Sequence, residues 1–186
     1  MESWADWHKP FVHGTFVVWP PDDVREVVNA LRQRYDSASR AICEAHITLT
    51  QPLLSDPEAD DWAELRRIAA AHPSFELAFG PLRSFLPYPC IWFETQPAKR
   101  MLALRAALHG TGLFNLDRPY TEGFVPHMTI TEGLSGPAVN EALLEALQGQ
   151  VTGGIFQVSE IAYVAPDENF HFSVQGTLAL GAANGG

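Results

Sequence analysis

The stretch His46-Ile-Thr48-Leu-Thr50-Gln-Pro-Leu53 returns 81 residues later, little changed, as His127-Met-Thr129-Ile-Thr131-Glu-Gly-Leu134. Each copy alternates a polar side chain with an apolar one. Successive side chains of a β-strand point to opposite faces, so this is the pattern of a half-buried strand. His46, Thr48 and Thr50 then share one face, and Ile47 and Leu49 the other, with same-face neighbours about 6.8 Å apart. The same holds for His127, Thr129 and Thr131.

The bare tripeptide carries little weight, because His-x-Thr/Ser occurs at His13, His46, His72, His127 and His171. His72 precedes Pro73 at an expected helix end. His13 has Gly14 in its middle and lacks the third polar residue. His171 lies in a β-rich run, but Gln175-Gly-Thr breaks the alternation after it. Only His46 and His127 share the extended form.

Outward from these two stretches, the chain reads as strand, helix, His strand, helix, strands, and then again helix, His strand, helix, strands. A first strand at 13–19 is stopped by Pro20-Pro21. Asp22 or Asp23 is placed to cap a helix to about Tyr35, with Val24, Val27, Val28 and Leu31 on one face. The first His strand spans about 44–50, and a second helix about 58–71. Phe75–Phe79 alternates as a strand, Gly80-Pro81 is expected to turn, and 82–86 to return beside it. Ile91–Thr95 is a further strand. A third helix fits Ala98 to about Phe114, its faces set by Met101, Leu102, Leu108 and Arg105. A fourth opens at Gly136-Pro137 and runs to about Leu147. Two β-rich runs, 155–164 and 169–180, close the chain before an expected disordered tail at 181–186. The expectation is one α+β domain of approximate two-fold repetition, with its core at about 12–178.

Apolar content of 46% and charged content of 18% in 186 residues describe an ordinary globular protein with a substantial core. No run approaches the ~18 apolar residues of a membrane span, so no membrane association is expected. The N-terminus has neither a basic start nor an apolar run, so no secretory signal is read there. Cys43 and Cys90 match no metal spacing and are expected as buried free thiols of a cytoplasmic monomer. Twelve Lys and Arg against 22 Asp and Glu give a net charge of −10, and no Lys or Arg follows Arg118. That is opposite to the footprint of a protein that grips DNA or long RNA. A nucleotide or a short RNA end fits the charge better.

Two imidazoles, each with a hydroxyl on the same strand face, suit phosphodiester chemistry without a metal or cofactor. With an unperturbed pKa of ~6.5, one ring can accept a proton while the other donates one. On a phosphodiester, one of His46 and His127 is expected to deprotonate the attacking group and the other to protonate the departing oxygen. Thr48 and Thr129 hydrogen-bond the non-bridging phosphate oxygens. Which histidine is acid and which is base stays open. Thr50 and Thr131 are expected to satisfy local polarity at the site's edge. Phe85, Tyr88 and Tyr120 are candidates to stack a base, and Arg83 to meet a phosphate. The histidines show no i, i+4 pair and no carboxylate at ligand spacing, which argues against a metal site.

The paired His-x-Thr strands resemble those of the 2H phosphoesterase superfamily, which includes 2′-5′ RNA ligase-like proteins and cyclic nucleotide phosphodiesterases. Trp19-Pro-Pro after the first strand agrees with this, as do Phe85 before Ile91-Trp-Phe and Pro119-Tyr120 leading through Phe124 to Pro126-His127. The resemblance implies a bilobal fold of two pseudo-two-fold related lobes of antiparallel sheet, helices outside, both histidines facing a central cleft. It also implies activity on a 2′,3′-cyclic phosphate or a 2′-5′ phosphodiester. The alternative is a non-catalytic module on the same fold that binds a nucleotide or an RNA end.

Overall fold

The computed structural model describes residues 4–85, 90–119, 121–132 and 137–183. In chain order its elements are β1 (Thr15–Val18), α1 (Asp22–Tyr35), α2 (Ser37–Ile42), β2 (Ile47–Thr48), α3 (Ala59–Ala71), β3 (Phe75–Ser84), β4 (Ile91–Gln96), α4 (Ala98–His109), β5 (His127–Thr131), α5 (Pro137–Gln148), β6 (Gly154–Val158), β7 (Glu160–Pro166) and β8 (Phe172–Ala179). The strands form one sheet in the order β6-β3-β4-β5-β2-β1-β7-β8, with antiparallel pairings throughout. The two His strands are its central neighbours. An approximate two-fold between them relates β1-α1-β2-α3 to β4-α4-β5-α5.

The outer strands are exchanged. β3 follows α3 in the chain but lies beside β4, whereas β7 and β8 return to lie beside β1. The run 155–164, read as one strand, breaks at Ser159 into β6 and β7, which belong to opposite halves of the sheet. One residue spans only ~3.5 Å of chain, so the sheet must curl until these strand ends meet. Ser159 joins the closure, its carbonyl accepting the N–H of Leu180 at 2.8 Å.

Other expectations are corrected locally. Asp22 and Asp23 lie inside the first turn of α1 behind an N-cap at Pro21, where acidic groups favour the helix dipole without capping. The short helix α2 has no counterpart among the expected elements, because six residues are too few to show a period; Asp36 starts it by accepting the Ser39 N–H. Gly80-Pro81 does not turn the chain. Gly80 takes φ +111° at a register shift, and β3 continues as one strand through the bulge. α4 stops at His109, before Gly110, rather than near Phe114, and leaves Leu102 exposed while Leu104 is buried. The ladder of β2 is shorter than 44–50 because the Leu49 and Thr50 N–H groups both go to the Phe16 carbonyl. The end is ordered further than expected: Gly181 exchanges backbone hydrogen bonds with His72 and Ser74.

One face of the sheet carries the main core. Phe16, Ile47, Leu49, Phe93, Met128 and Ile130 pack there against Val28, Leu65, Met101, Leu104 and Leu108 of the helices. Burying each such side chain contributes ~1.5–3 kcal/mol. Among the described residues, no helix is long and apolar enough to cross a membrane.

Thr50 and Thr131 sit inside, at 2% and 0% exposure. Thr50 Oγ1 accepts the Phe16 N–H at 3.0 Å, and Thr131 Oγ1 accepts the Ile91 N–H at 3.2 Å. Each ties a His strand to its outer neighbour, β1 or β4. Thr50→Val or Thr131→Val leaves a buried N–H without an acceptor. Each should lower stability by ~1–3 kcal/mol, read as a reduced urea midpoint at unchanged slope.

Candidate active site

Ile47 pairs with Met128 across β2 and β5. Continued one residue each way, this register sets His46 opposite Thr129 and Thr48 opposite His127. Ile47 and Met128 are fully buried, so the four flanking side chains emerge on the other face, where all are half-buried. They mark the corners of a rectangle with the histidines on one diagonal and the threonines on the other. Diagonal neighbours on such a ladder stand ~7–8 Å apart.

The two imidazoles are held alike. His46 Nδ1 lies 2.7 Å from the Glu44 carbonyl, and His127 Nδ1 lies 2.7 Å from the Val125 carbonyl. A carbonyl only accepts, so each Nδ1 carries the proton and Nε2 is the nitrogen left for chemistry. Their surroundings differ. Burial pushes His46 down to about 4, partly offset by the Glu44 carbonyl, with the charges of Arg32 and His127 adding to the depression. The ring keeps some solvent contact, although protein surrounds most of it. Burial also lowers His127, against the Val125 carbonyl. His127 stands among aromatic rings, with Phe85 at 5.0 Å, Trp92 at 5.5 Å and Phe124 at 6.3 Å between centroids.

Of the other expected site residues, Phe85 lies in the site, stacked on Trp92 at 4.4 Å and edge-on to His127. Arg83 pairs with Trp92 across β3 and β4, and its Nε donates to Glu94 Oε2 at 2.9 Å. Its guanidinium is therefore already engaged by a carboxylate. Tyr88 and Tyr120 lie outside the described residues. The decoy histidines are elsewhere: His13 Nδ1 is 2.8 Å from Asp56 Oδ1, His72 Nδ1 is 2.9 Å from the Ile68 carbonyl, and His171 Nδ1 is 3.7 Å from Asp167 Oδ2.

Two further residues stand out in sequence only as strand markers. Trp92 pairs with Thr129 across β4 and β5 and so shares the face of the rectangle. Trp19 falls opposite His46 when the Val18–Ile47 register is continued, and Arg25 stands 5.3 Å over its ring. The alternation of each strand assigns the faces, but the register between strands is needed to bring the residues together. Burial pushes the half-buried thiol of Cys90 up to about 12, with Thr129 acting against the shift. Cys43 is buried and also free.

A family model described as the 2′-5′ RNA ligase superfamily matches residues 20–169. The chain belongs to this superfamily, the 2H phosphoesterases. A Bacillus cereus (strain G9842) protein described as a presumptive phosphoesterase is 32% identical over 162 residues, 86% of each chain. A Bacillus thuringiensis (strain Al Hakam) protein of the same description is 30% identical over 180 residues, covering 90% of this chain and 96% of its own. Among solved structures, E. coli LigT complexed with 3′-AMP superposes with a TM-score of 0.58 at 19% identity, covering 89% of this chain and 95% of LigT. TT0787 of Thermus thermophilus gives 0.57 at 16% identity, covering 91% of this chain and 98% of its own. At these identities the structural likeness speaks for the fold.

Both depressed histidines tie stability to pH. Their folded pKa values lie below the unfolded ~6.5, so on acidification the unfolded chain takes up protons first. Their contribution is complete above pH ~6.5 and lost as pH falls through the folded values, about 4 for His46. Thermal unfolding should show Tm falling through this window, less steeply in His46→Gln. Inorganic phosphate should restore it by favouring the charged rings.

Proposed function

We propose that the protein is a metal-independent phosphoesterase acting by His/His acid–base catalysis on a 2′,3′-cyclic phosphate or 2′-5′ phosphodiester of a nucleotide or short RNA. The observation that carries this reading is the four-cornered arrangement across β2 and β5. With phosphorus over its centre, the histidine diagonal supplies the two ends of an in-line displacement, and the threonine diagonal meets the equatorial oxygens. In hydrolysis of a cyclic phosphate, water attacks phosphorus as one Nε2 takes its proton. The bond to one ribose oxygen breaks, and the other Nε2–H protonates that oxygen. Thr48 and Thr129 donate to the phosphoryl oxygens as charge grows on them.

The differing environments support a division of labour. His46, with the Arg32 charge acting on it, is the neutral base, and His127, on which no arginine charge among the described residues acts, is the acid. In the reverse direction the roles exchange. Basic groups near the site are engaged by acids, Arg83 with Glu94, and Arg25 and Arg40 with Glu44. This supports a small substrate over a polymer. LigT has been seen with 3′-AMP, phosphate, ATP and NADP+, and a nucleotide ligand is the corresponding proposal here.

Turnover of nucleoside 2′,3′-cyclic phosphates should persist in EDTA. It should fall ~10²–10⁴-fold in His46→Ala and in His127→Ala, and ~10²–10³-fold in Thr48→Val and in Thr129→Val. Wild-type rates in both histidine variants would refute the assignment and leave a binding module. The pH profile is a second check. The competent free enzyme has His46 neutral and His127 protonated, and both groups are shifted down, so kcat/KM should peak below pH ~6.5. Bound phosphate charge should move the alkaline limb of kcat to higher pH.

A further inference from the structure

Two interior cations touch no substrate in the proposed chemistry. Arg32 on α1 is 3% exposed and Arg105 on α4 is 4% exposed. Arg32 Nη1 donates to the Thr129 carbonyl at 2.9 Å, and Arg105 Nη1 donates to the Leu49 carbonyl at 2.6 Å. Four residues further on, at the C-cap of α1 and the last residue of α4, a second group holds the same segment. Asp36 Oδ2 accepts the Glu132 N–H at 2.7 Å, and His109 Nε2 accepts the Gln51 N–H at 3.0 Å. Glu132 and Gln51 are equivalent positions of the two extended motifs. The arginines fall one residue out of equivalence, on Thr129 and Leu49.

Each helix therefore grips the His strand of the other half. α1 follows β1, the neighbour of β2, yet holds β5 at Thr129 and just past its end at Glu132; α4 follows β4, the neighbour of β5, yet holds the segment that continues β2, at Leu49 and Gln51. The joint they span is the thinnest in the sheet, with the single registered pair Ile47–Met128. A slip of one residue there would send the histidines to the core face. We propose that Arg32 with Asp36, and Arg105 with His109, are paired cross-braces that position the rectangle of His46, Thr48, His127 and Thr129. They act through the strand backbones and touch no substrate. Asp36 also starts α2, and Arg32 Nη2 also holds the Ser39 and Cys43 carbonyls. The α4 brace is the cleaner one to test. Its kinetic consequence rests on the proposed phosphoesterase activity, but its structural consequence does not.

The test compares His109→Leu, which removes the acceptor, with His109→Gln, which can keep one, alongside Arg105→Lys and Arg32→Lys. Below the melting transition, His109→Leu should lower kcat about tenfold with KM changed less than about threefold, and His109→Gln should recover most of the loss. The lysine variants should show a milder form of the same split. Independently of turnover, imidazole proton NMR with inorganic phosphate as probe should show the His46 resonance moved in His109→Leu more than that of His127. Sequence proximity predicts the reverse, since α4 leads directly to β5. A lowered Tm with unchanged kcat and unchanged imidazole resonances would reduce the braces to ordinary packing and overturn the proposal. If the wild type turns over none of the cyclic phosphates, the functional reading fails, and the NMR comparison still decides the braces.

Discussion

The antiparallel contact of Ile47 with Met128 is the constraint on which the site depends. Both side chains are fully buried, and their burial orients four others. A strand offers only two faces, so sinking the middle residue of each His-x-Thr triplet into the core raises its neighbours on the opposite face. The antiparallel direction then places unlike residues opposite one another, His facing Thr twice. Had the strands been parallel, the histidines would lie side by side and the hydroxyls side by side, with no diagonal for the in-line displacement proposed above. A short contact thus supplies both the symmetry of the arrangement and its chemical polarity.

That symmetry is broken by what surrounds it. Behind His46 lies the charge of Arg32, and Trp19 stands opposite; beside His127 lie Phe85, Trp92 and Phe124. Two equivalent imidazoles would share one proton evenly between them. Unequal surroundings bias where it rests, which is what an acid–base pair requires. The same inequality extends to the walls. On the β1 side, Val17, Ala162 and Val164 form a small apolar cluster with Trp19 and Phe172, while the β4 side carries the stacked Phe85 and Trp92.

Much of this is legible in the sequence, because it is governed by local period. The alternation around His46 and His127 assigns the faces, and helices are legible at 22–35 and 58–71, while the one from Ala98 is expected to run on to Phe114 and stops at His109. Long-range pairing leaves less trace. Nothing in the run 155–164 marks Ser159 as the point where the chain passes from one half to the other, since both sides of it are equally β-rich. Gly80-Pro81 carries the composition of a turn, and only the neighbouring strands make it a bulge within β3. Arg32 and Arg105 give no sign in the sequence of the segments they hold, because their partners are backbone carbonyls, which have no signature in the sequence. Thr50 and Thr131 belong to the alternating pattern, but the acceptors they provide serve strands far away in the chain.

The single residue between β6 and β7 also bears on how such a molecule can be divided. The half of β5 is one continuous stretch, from β3 to β6 (75–158), set into the half of β2, which takes β1 from before it and β7 and β8 from after it. Only one of the two units of symmetry is therefore a unit of chain. A cut between β3 and β4 would leave β3 with the fragment carrying β2 and strip that fragment of its own β7 and β8. The two halves can repeat each other in form, yet only the half of β5 can be inherited, expressed or lost as a contiguous piece.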